Sequence, residues 1–216
     1  MTTPRPLYLK QLELGPMQNF IYLVGDPSTH EAAVVDPGWE IPQIVRTLAA
    51  DGYRLTRVFL THTHFDHVMG LGQLLAHADV PVHVHHREAS NLPVAPSTLQ
   101  PVGHGDTIHV GGVPVTVVHT PGHTPGSQCL LVEGRLLSGD TLFIRACGRC
   151  DLPGSDPRAL YDSLTKTLTK LDDRTALYPG HNYAEVPIST LAKEKRDNPF
   201  LRIPTLEQFL HLVGRG

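Results

Sequence analysis

Cysteine is scarce in this chain, with three (Cys129, Cys147, Cys150) in 216 residues. Three thiols over that length do not make a disulfide framework, and they fit a reducing, cytoplasmic setting. Surplus positive charge is lacking too. Lys and Arg number 18 against 21 Asp and Glu, a net charge of −3, which argues against nucleic acid or an anionic membrane as the partner. No apolar run approaches the roughly 20 residues of a membrane span. The N-terminal MTTPRPLYLKQLELG has neither the apolar centre of a signal peptide nor Arg/Ser-rich transit character. Repeats, low-complexity tracts and linkers are absent, so residues 1–216 read as a single domain. A domain of this size buries about 70% of its unfolded surface. Its core needs no disulfide or structural metal, so any metal is expected to serve chemistry.

Short apolar runs alternate with helical patterns. NFIYLVGD (19–26) and EAAVVDPG (31–38) read as strands joined by the turn PSTH. IPQIVRTLAADGY carries Ile41, Ile44, Val45 and Leu48 at helical spacing, with Gly52 placed to stop it. RVFLTH then predicts a strand, DHVMGLGQLLAHAD (66–79) a helix, and VPVHVH a strand. Between Gly105 and Leu142 the pattern turns to hairpins, with Gly111-Gly112 and Glu133-Gly134 as turns. A helix over Asp156–Leu171, the strand TALYPG, and two terminal helices, PISTLAKEKR and TLEQFLHLV, complete the chain. Hairpins and helical crossovers together require an α/β fold with mixed sheets.

Histidine is what the chain has in quantity, 14 residues, and neutral imidazole is the commonest transition-metal ligand. THTHFDH (61–67) directly follows an apolar strand. His62 and His64 are two apart, so an extended backbone points both side chains the same way. Asp66 and His67 follow where a turn begins a helix. His123 in HTPGHTPGS, Asp140 in RLLSGDTL and His181 in LYPGHNY also stand in loops after strands. A rigid scaffold presents ligands from such loops without burying unpaired backbone groups. Any one of these residues alone reads as a helix cap or a solvated loop side chain; their recurrence at strand ends points to a metal site.

THTHFDH, PGHTPGS, SGDTLF and YPGHNY, in this order, resemble the metallo-β-lactamase superfamily over nearly the whole chain. The resemblance implies an αβ/βα sandwich of two mixed sheets covered by helices, with metal at one edge. True β-lactamases usually carry Cys where Asp140 stands and lack His67. Diiron flavoproteins carry Glu at His64, and the nucleic-acid-processing members an inserted domain for which this chain has no room. Thioester hydrolases (glyoxalase II), lactonases and persulfide dioxygenases remain.

CGRCD (147–151) resembles the CGR or CGK segment of the two glutathione-using families, in which the cation, here Arg149, grips the glutathione. Asp151 is closer to the GRTD of the dioxygenases, with Cys150 departing from their Thr. The link NYAEVPI between His181 and Ser189 is short, as in the dioxygenases; glyoxalase II usually has a long helical insertion there. NPFLR points the other way, resembling the glyoxalase II segment whose arginine, here Arg202, contacts glutathione.

The favoured expectation is therefore a persulfide dioxygenase acting on glutathione persulfide, or a related small thiol, with O₂. It would hold one Fe(II) per chain on His62, His123 and Asp140, with His64, Asp66, His67 and His181 around them. In the alternative, a glyoxalase II-type hydrolase, two metals (zinc, iron or manganese) would be held by His62, His64 and His123 and by Asp66, His67 and His181, bridged by Asp140. Asp66 and Tyr183 are the candidate catalytic groups, and Arg149, Tyr183 and Arg202 the candidate substrate contacts. No membrane partner is expected, and a homodimer is left open. VHVHH (82–86) reads as a strand end, because no carboxylate or cysteine completes a ligand set. The CxxC of Cys147 and Cys150 lacks the strand-to-helix context of a redox motif.

Overall fold

The computed structural model describes residues 6–214; the outermost residues of the expected 1–216 domain lie outside the described part. The first sheet has strands buried on both faces at its centre. It comprises β1 (Tyr8–Leu14), β2 (Asn19–Asp26), β3 (Glu31–Val35), β4 (Arg54–Phe59), β5 (Val82–His85) and β6 (Leu99–Val102), paired in that order. β1 to β3 are antiparallel, and β3 to β6 run parallel. The parallel half is crossed by α1 (Ile41–Ala50) and by α2 (Phe65–Val68) followed by α3 (Leu71–His77).

The hairpin half of the chain gives β7 (Thr107–Val110), β8 (Val113–His119), β9 (Gln128–Val132) and β10 (Arg135–Gly139). A two-stranded ribbon follows, β11 (Leu142–Phe143) with β12 (Ala146–Cys147). Helix α4 (Pro157–Asp162) leads to β13 (Ala176–Pro179) and β14 (Ser189–Thr190). The second sheet runs β14-β13-β10-β9-β8-β7, with β10 and β13 its parallel pair. Helices α5 (Leu191–Asp197), α6 (Pro199–Arg202) and α7 (Leu206–Leu212) close the chain.

Three buried layers show how the sheets stack. Every residue of β2 is buried, and its two faces serve different cores. Ile21 and Leu23 pack with Ile44, Leu48, Leu71 and Leu74 under α1 and α3. Phe20, Tyr22 and Val24 pack with Val115, Val117 and Leu130 between the sheets. Cys129, Leu136 and Leu177 on the far face of the second sheet pack with Leu160, Leu164, Leu191 and Phe209 of the later helices. The result is the four-layer αβ/βα sandwich. All three cysteines are free thiols, and no described helix is long and apolar enough to cross a membrane.

Several elements differ from the pattern-based expectation. The helix expected over 66–79 is two, because a Cβ at Gly70 would stand 2.6 Å from the Pro37 carbonyl and 2.5 Å from Ile41; the chain bends there to let α1 approach. β1 and β6 are additional strands. Both lie at the sheet edge, where Lys10, Gln11 and Glu13 blur the alternation of one and Pro101 is tolerated in the other. The helix expected from Pro187 begins at Leu191, after β14, with the Thr190 hydroxyl capping Lys193 N–H. The helix opening at Asp156 caps through its carboxylate on Arg158 and Ala159 N–H, and beyond α4 continues as a wider and then a tighter turn to Lys170.

Phe59 is fully buried between the sheets, ring-stacked on His83 at 5.0 Å, and ends the strand that leads into THTHFDH. Phe59→Ala is expected to cost about 3–5 kcal/mol, read as a lower urea midpoint with unchanged slope. A loss under about 1 kcal/mol would mean that the inter-sheet layer is looser than its burial indicates.

Candidate metal centre

The site forms where the C-terminal ends of four strands meet. β3 delivers Asp36, β4 delivers Thr61 to His64, β10 delivers Asp140, and β13 delivers His181. His123 comes from the β8–β9 connection, and Asp66 and His67 from the first turn of α2. The two sheets are stitched together here: Asn19 bridges His181, and Phe20 N–H donates to the Gly180 carbonyl at 2.8 Å. Gly180 lies so close that a Cβ on it would stand 2.4 Å from Asp140 Oδ1.

The sequence-expected ligands converge. His62, His64 and His123 form one group of ligand atoms; His62, His67 and Asp140 a second; Asp66, His67 and His181 a third, each within 4.8 Å. Their outer nitrogens decide what the inner ones present. His123 Nδ1 lies 2.7 Å from the Arg149 carbonyl and His181 Nδ1 2.9 Å from the Met17 carbonyl. A carbonyl only accepts, so both Nδ1 atoms carry the proton. His67 Nδ1 donates to the Asp36 carboxylate at 3.0 Å. Thr61 Oγ1 donates to Asp36 at 2.6 Å, so at 3.1 Å it can only accept from His62 Nδ1. In each neutral ring the Nε2 lone pair then faces the centre.

Three of these inner atoms, His62 Nε2, His123 Nε2 and Asp140 Oδ1, are buried with no hydrogen-bond partner. Buried polar atoms without partners are rare and costly. Lone-pair donors that face one another without a proton between them fit a cation.

Electrostatics agree. Burial pushes His62 well below its ordinary pKa, and lowers His64 too, keeping both unprotonated near neutrality. For His67, burial is outweighed by Asp140 and Asp36, and its pKa rises well above normal. His181 rises to about 9: burial opposes, but hydrogen bonds to Asp140 and Asp66 win. Asp66 falls to about 2 against its own burial, through His181, His67 and Asn19, and Asp140 also falls well below the usual range. Protonation of the His67–His181 pair, whose Nε2 atoms face each other at 3.2 Å, thus offsets charge on the two carboxylates. A divalent cation supplies the same positive charge and displaces those protons.

Residues outside the expected set complete the frame. Asp36 is 3% exposed, holds a left-handed backbone (φ 54), and also accepts from Thr61 N–H at 2.7 Å. Asn19 donates to Asp66 at 2.9 Å and is itself fixed by the Trp39 indole N–H at 2.8 Å. Buried Glu88 accepts from Gly126 N–H at 2.8 Å and from the Thr63 hydroxyl, tying the loop of His62 and His64 to that of His123. A carboxylate at a strand end, as in VVDPG, was the available signal for Asp36; Asn19 and Glu88 left none. VHVHH behaves as its strand reading requires. Burial pushes His83 and His85 to about 4, His85 stacks on His119 at 4.0 Å, and no ligand group among the described residues includes them.

Above the cluster opens a cleft of about 540 Å³, walled by Met17, Phe65, Phe143, Leu152 and Tyr183. Tyr183 stacks flat on His181 (4.7 Å, 13°) with its edge to Phe143. Arg149 lines the mouth, its guanidinium forked on Asp151 at 2.9 and 2.8 Å. Arg202 does not line the cleft. Asn198, at the start of α6, donates to the Phe143 and Ala146 carbonyls at 3.1 Å, which leaves Arg202 exposed at the helix's far end. Cys147 also lines the cleft; burial pushes its thiol well above the ordinary value, the opposite of a reactive thiolate.

The family model described as Metallo-beta-lactamase superfamily matches residues 14–181. The chain is 30% identical to the probable polyketide biosynthesis zinc-dependent hydrolase PksB of Bacillus subtilis, over 91% of this chain and 88% of the relative. It is 36% identical to a hydroxyacylglutathione hydrolase of Nitrosococcus oceani, over 84% and 68%. It is 31% identical to the mitochondrial persulfide dioxygenase ETHE1 of Homo sapiens, over 97% and 81%. The crystal structure of ETHE1 from Myxococcus xanthus superposes with a TM-score of 0.87 at 34% identity, covering 96% of this chain and 90% of that one. Ligand loops at the strand ends of a four-layer sandwich, matched over most of their length, place this chain in the metallo-β-lactamase superfamily.

Proposed function

We propose that this enzyme is a persulfide dioxygenase, oxidising glutathione persulfide with O₂ to sulfite and glutathione at one Fe(II) held by His62, His123 and Asp140. One observation carries the reading. Within the ligand cluster, the buried atoms without a hydrogen-bond partner are His62 Nε2, His123 Nε2 and Asp140 Oδ1, two imidazoles and a carboxylate that also lies 3.4 Å from His67 and His181. Two His and one carboxylate are the donor set of non-haem Fe(II) oxygenases. Asp66, His67 and His181 are by contrast engaged with one another and with their frame. His67 and His181 share a 3.2 Å contact, and Asp66 lies 3.3 Å from His181 and 2.9 Å from Asn19. Iron bound there would supply redox chemistry and open positions for both reactants.

The chain's own groups do the rest. Apolar walls at Met17, Phe65, Phe143 and Leu152 keep water from the sulfur. Tyr183, stacked on His181 at the rim, offers its phenol as a donor toward the reacting end of the substrate. Asp66, held ionised at about 2, keeps His181 charged and oriented. Arg149 has two roles: its carbonyl fixes the His123 ring, and its guanidinium, at the cleft mouth, receives a substrate carboxylate. The short link between His181 and β14 supports the same reading.

The second reading, a thioester hydrolase, is favoured by the third ligand group. Asp66, His67 and His181 lie within ligand reach of one another, and Asp140 is 3.4 Å from both His67 and His181. Two metals about 3.5–4 Å apart could sit there and activate a water between them.

Protein purified without added zinc is expected to carry one iron per chain by elemental analysis. His62→Ala, His123→Ala and Asp140→Ala should each abolish its binding, and His181→Ala should keep most of it. Two metals per chain, both lost in His181→Ala, would transfer the case to the hydrolase.

The reaction is tested on one preparation. Glutathione persulfide should drive oxygen uptake and sulfite formation with iron, and not with zinc, which cannot change oxidation state. Fast anaerobic cleavage of S-lactoylglutathione with no persulfide-dependent oxygen uptake would exclude the dioxygenase.

Arg149→Ala, which keeps the backbone carbonyl on His123, should raise KM for glutathione persulfide roughly tenfold while iron content stays constant. An unchanged KM would remove Arg149 from the substrate site.

A further inference from the structure

A second cleft, of about 810 Å³, adjoins the metal cleft and shares Ala146 and Tyr183 with it. The metal cleft has apolar walls; the second is lined by Arg145, Lys193, Glu185 and Asn182. Neither Arg145 nor Lys193 has a side-chain hydrogen bond or salt bridge among the described residues. The acid they influence is Asp197, which the Arg196 fork at 3.0 Å already occupies and, more than they do, holds below its ordinary range.

Arg145 is also built into place. Its backbone is left-handed (φ 60), a conformation non-glycine residues seldom adopt and one that costs free energy. The Arg145 N–H donates to Glu194 Oε2 at 2.7 Å, and Glu194 is fully buried, bound as well by Ser189 at 2.5 Å and Asn198 at 3.1 Å. Lys193 is the residue before that glutamate. A buried carboxylate thus fixes the Arg145 backbone at the cleft, and Lys193 and Glu185 line the same cleft.

We infer that this second cleft binds the zwitterionic amino-acid end of an extended peptide thiol whose sulfur lies in the metal cleft. Arg145 and Lys193 take the α-carboxylate, Arg145 offering the planar fork that fits it, and Glu185 takes the α-ammonium. The backbone of the substrate crosses the shared wall at Ala146 and Tyr183. This rests on the reading of the metal cleft as a thiol site, whichever reaction follows, and it makes the enzyme selective for peptide thiols over simple ones.

Binding decides it, without turnover. Glutathione, N-acetylcysteamine and a glutathione analogue lacking only the α-amino group are titrated calorimetrically, under nitrogen, into metal-loaded protein. Arg145→Glu with Lys193→Glu is expected to weaken glutathione about tenfold and to leave N-acetylcysteamine unchanged, with metal content and melting temperature retained. Glu185→Gln should weaken glutathione several-fold and leave the des-amino analogue as it was. Unaltered glutathione affinity in the double variant, equal weakening of all three thiols, or no glutathione binding by the parent protein would overturn the inference. Absent oxygen uptake with persulfide, beside charge-sensitive glutathione binding, would remove the dioxygenase reading and keep this subsite.

Discussion

The carboxylate of Asp36 is the constraint on which the centre depends. It accepts from Thr61 N–H, from the Thr61 hydroxyl and from His67 Nδ1, at 2.7, 2.6 and 3.0 Å. Because the Thr61 proton is committed to Asp36, the hydroxyl faces His62 Nδ1 only as an acceptor, and His62 is left with its Nε2 lone pair inward. Were the Thr61 hydroxyl free to turn, it could donate to Nδ1 and move the ring proton to Nε2, where it would block a metal. One buried charge thus sets two imidazole tautomers at once. Its left-handed backbone is the local cost of that position.

The fold makes this arrangement possible by bringing strand ends of both sheets to one edge. Residues as far apart as His62 and His181 meet because β3 and β4 run parallel in one sheet, β10 and β13 in the other, and all four end at the same side. The Asn19–His181 bridge and the Phe20–Gly180 hydrogen bond fix the spacing between sheets at that edge. Glu88 performs the same service laterally, between Thr63 and Gly126. The ligands stand on loops, but each loop is tied at a second point, which gives loop positions the precision of the scaffold.

The ligand set was legible in the amino-acid sequence because His62, His64, Asp66 and His67 are local in the chain, and because His123, Asp140 and His181 each follow an apolar run with Gly or Pro beside them. Central strands such as β2 were legible for a similar reason: both faces are buried, so the run is continuously apolar. Edge elements were not. β1 and β6 owe their strand character to pairing with a neighbour, which leaves little trace in composition. The supporting polar residues were hidden for another reason. Asn19, Asp36 and Glu88 make contacts across 47, 25 and 38 positions of chain; locally Asn19 and Glu88 cannot be told from a turn residue or a solvated acid, and Asp36 is marked only by its place at the strand end in VVDPG. Arg202 shows the converse: a familiar local string, NPFLR, whose arginine a single capping asparagine, Asn198, leaves outside the cleft.

The cluster carries two chemistries in principle, and the difference between them is one of charge accounting. Asp66, His67, His181 and Asp140 hold a near-neutral balance through the raised pKa values of both imidazoles. That balance can be kept by protons, in which case these side chains hydrogen-bond one another and surround a single metal. It can equally be kept by a second cation, in which case the same atoms become ligands. A shared ligand set therefore cannot select the reaction. What can select it is the surface above: a cleft with apolar walls that opens on His64, Asp66, His123, Asp140 and His181, and beyond Tyr183 a charged cleft with Arg145, Lys193 and Glu185. The apolar part suits a sulfur that must meet O₂ away from water, and the charged part suits the peptide that carries it. On the proposed reading, specificity resides in side chains outside the ligand cluster, on the turn of the ribbon β11–β12, the short link after His181 and the start of α5.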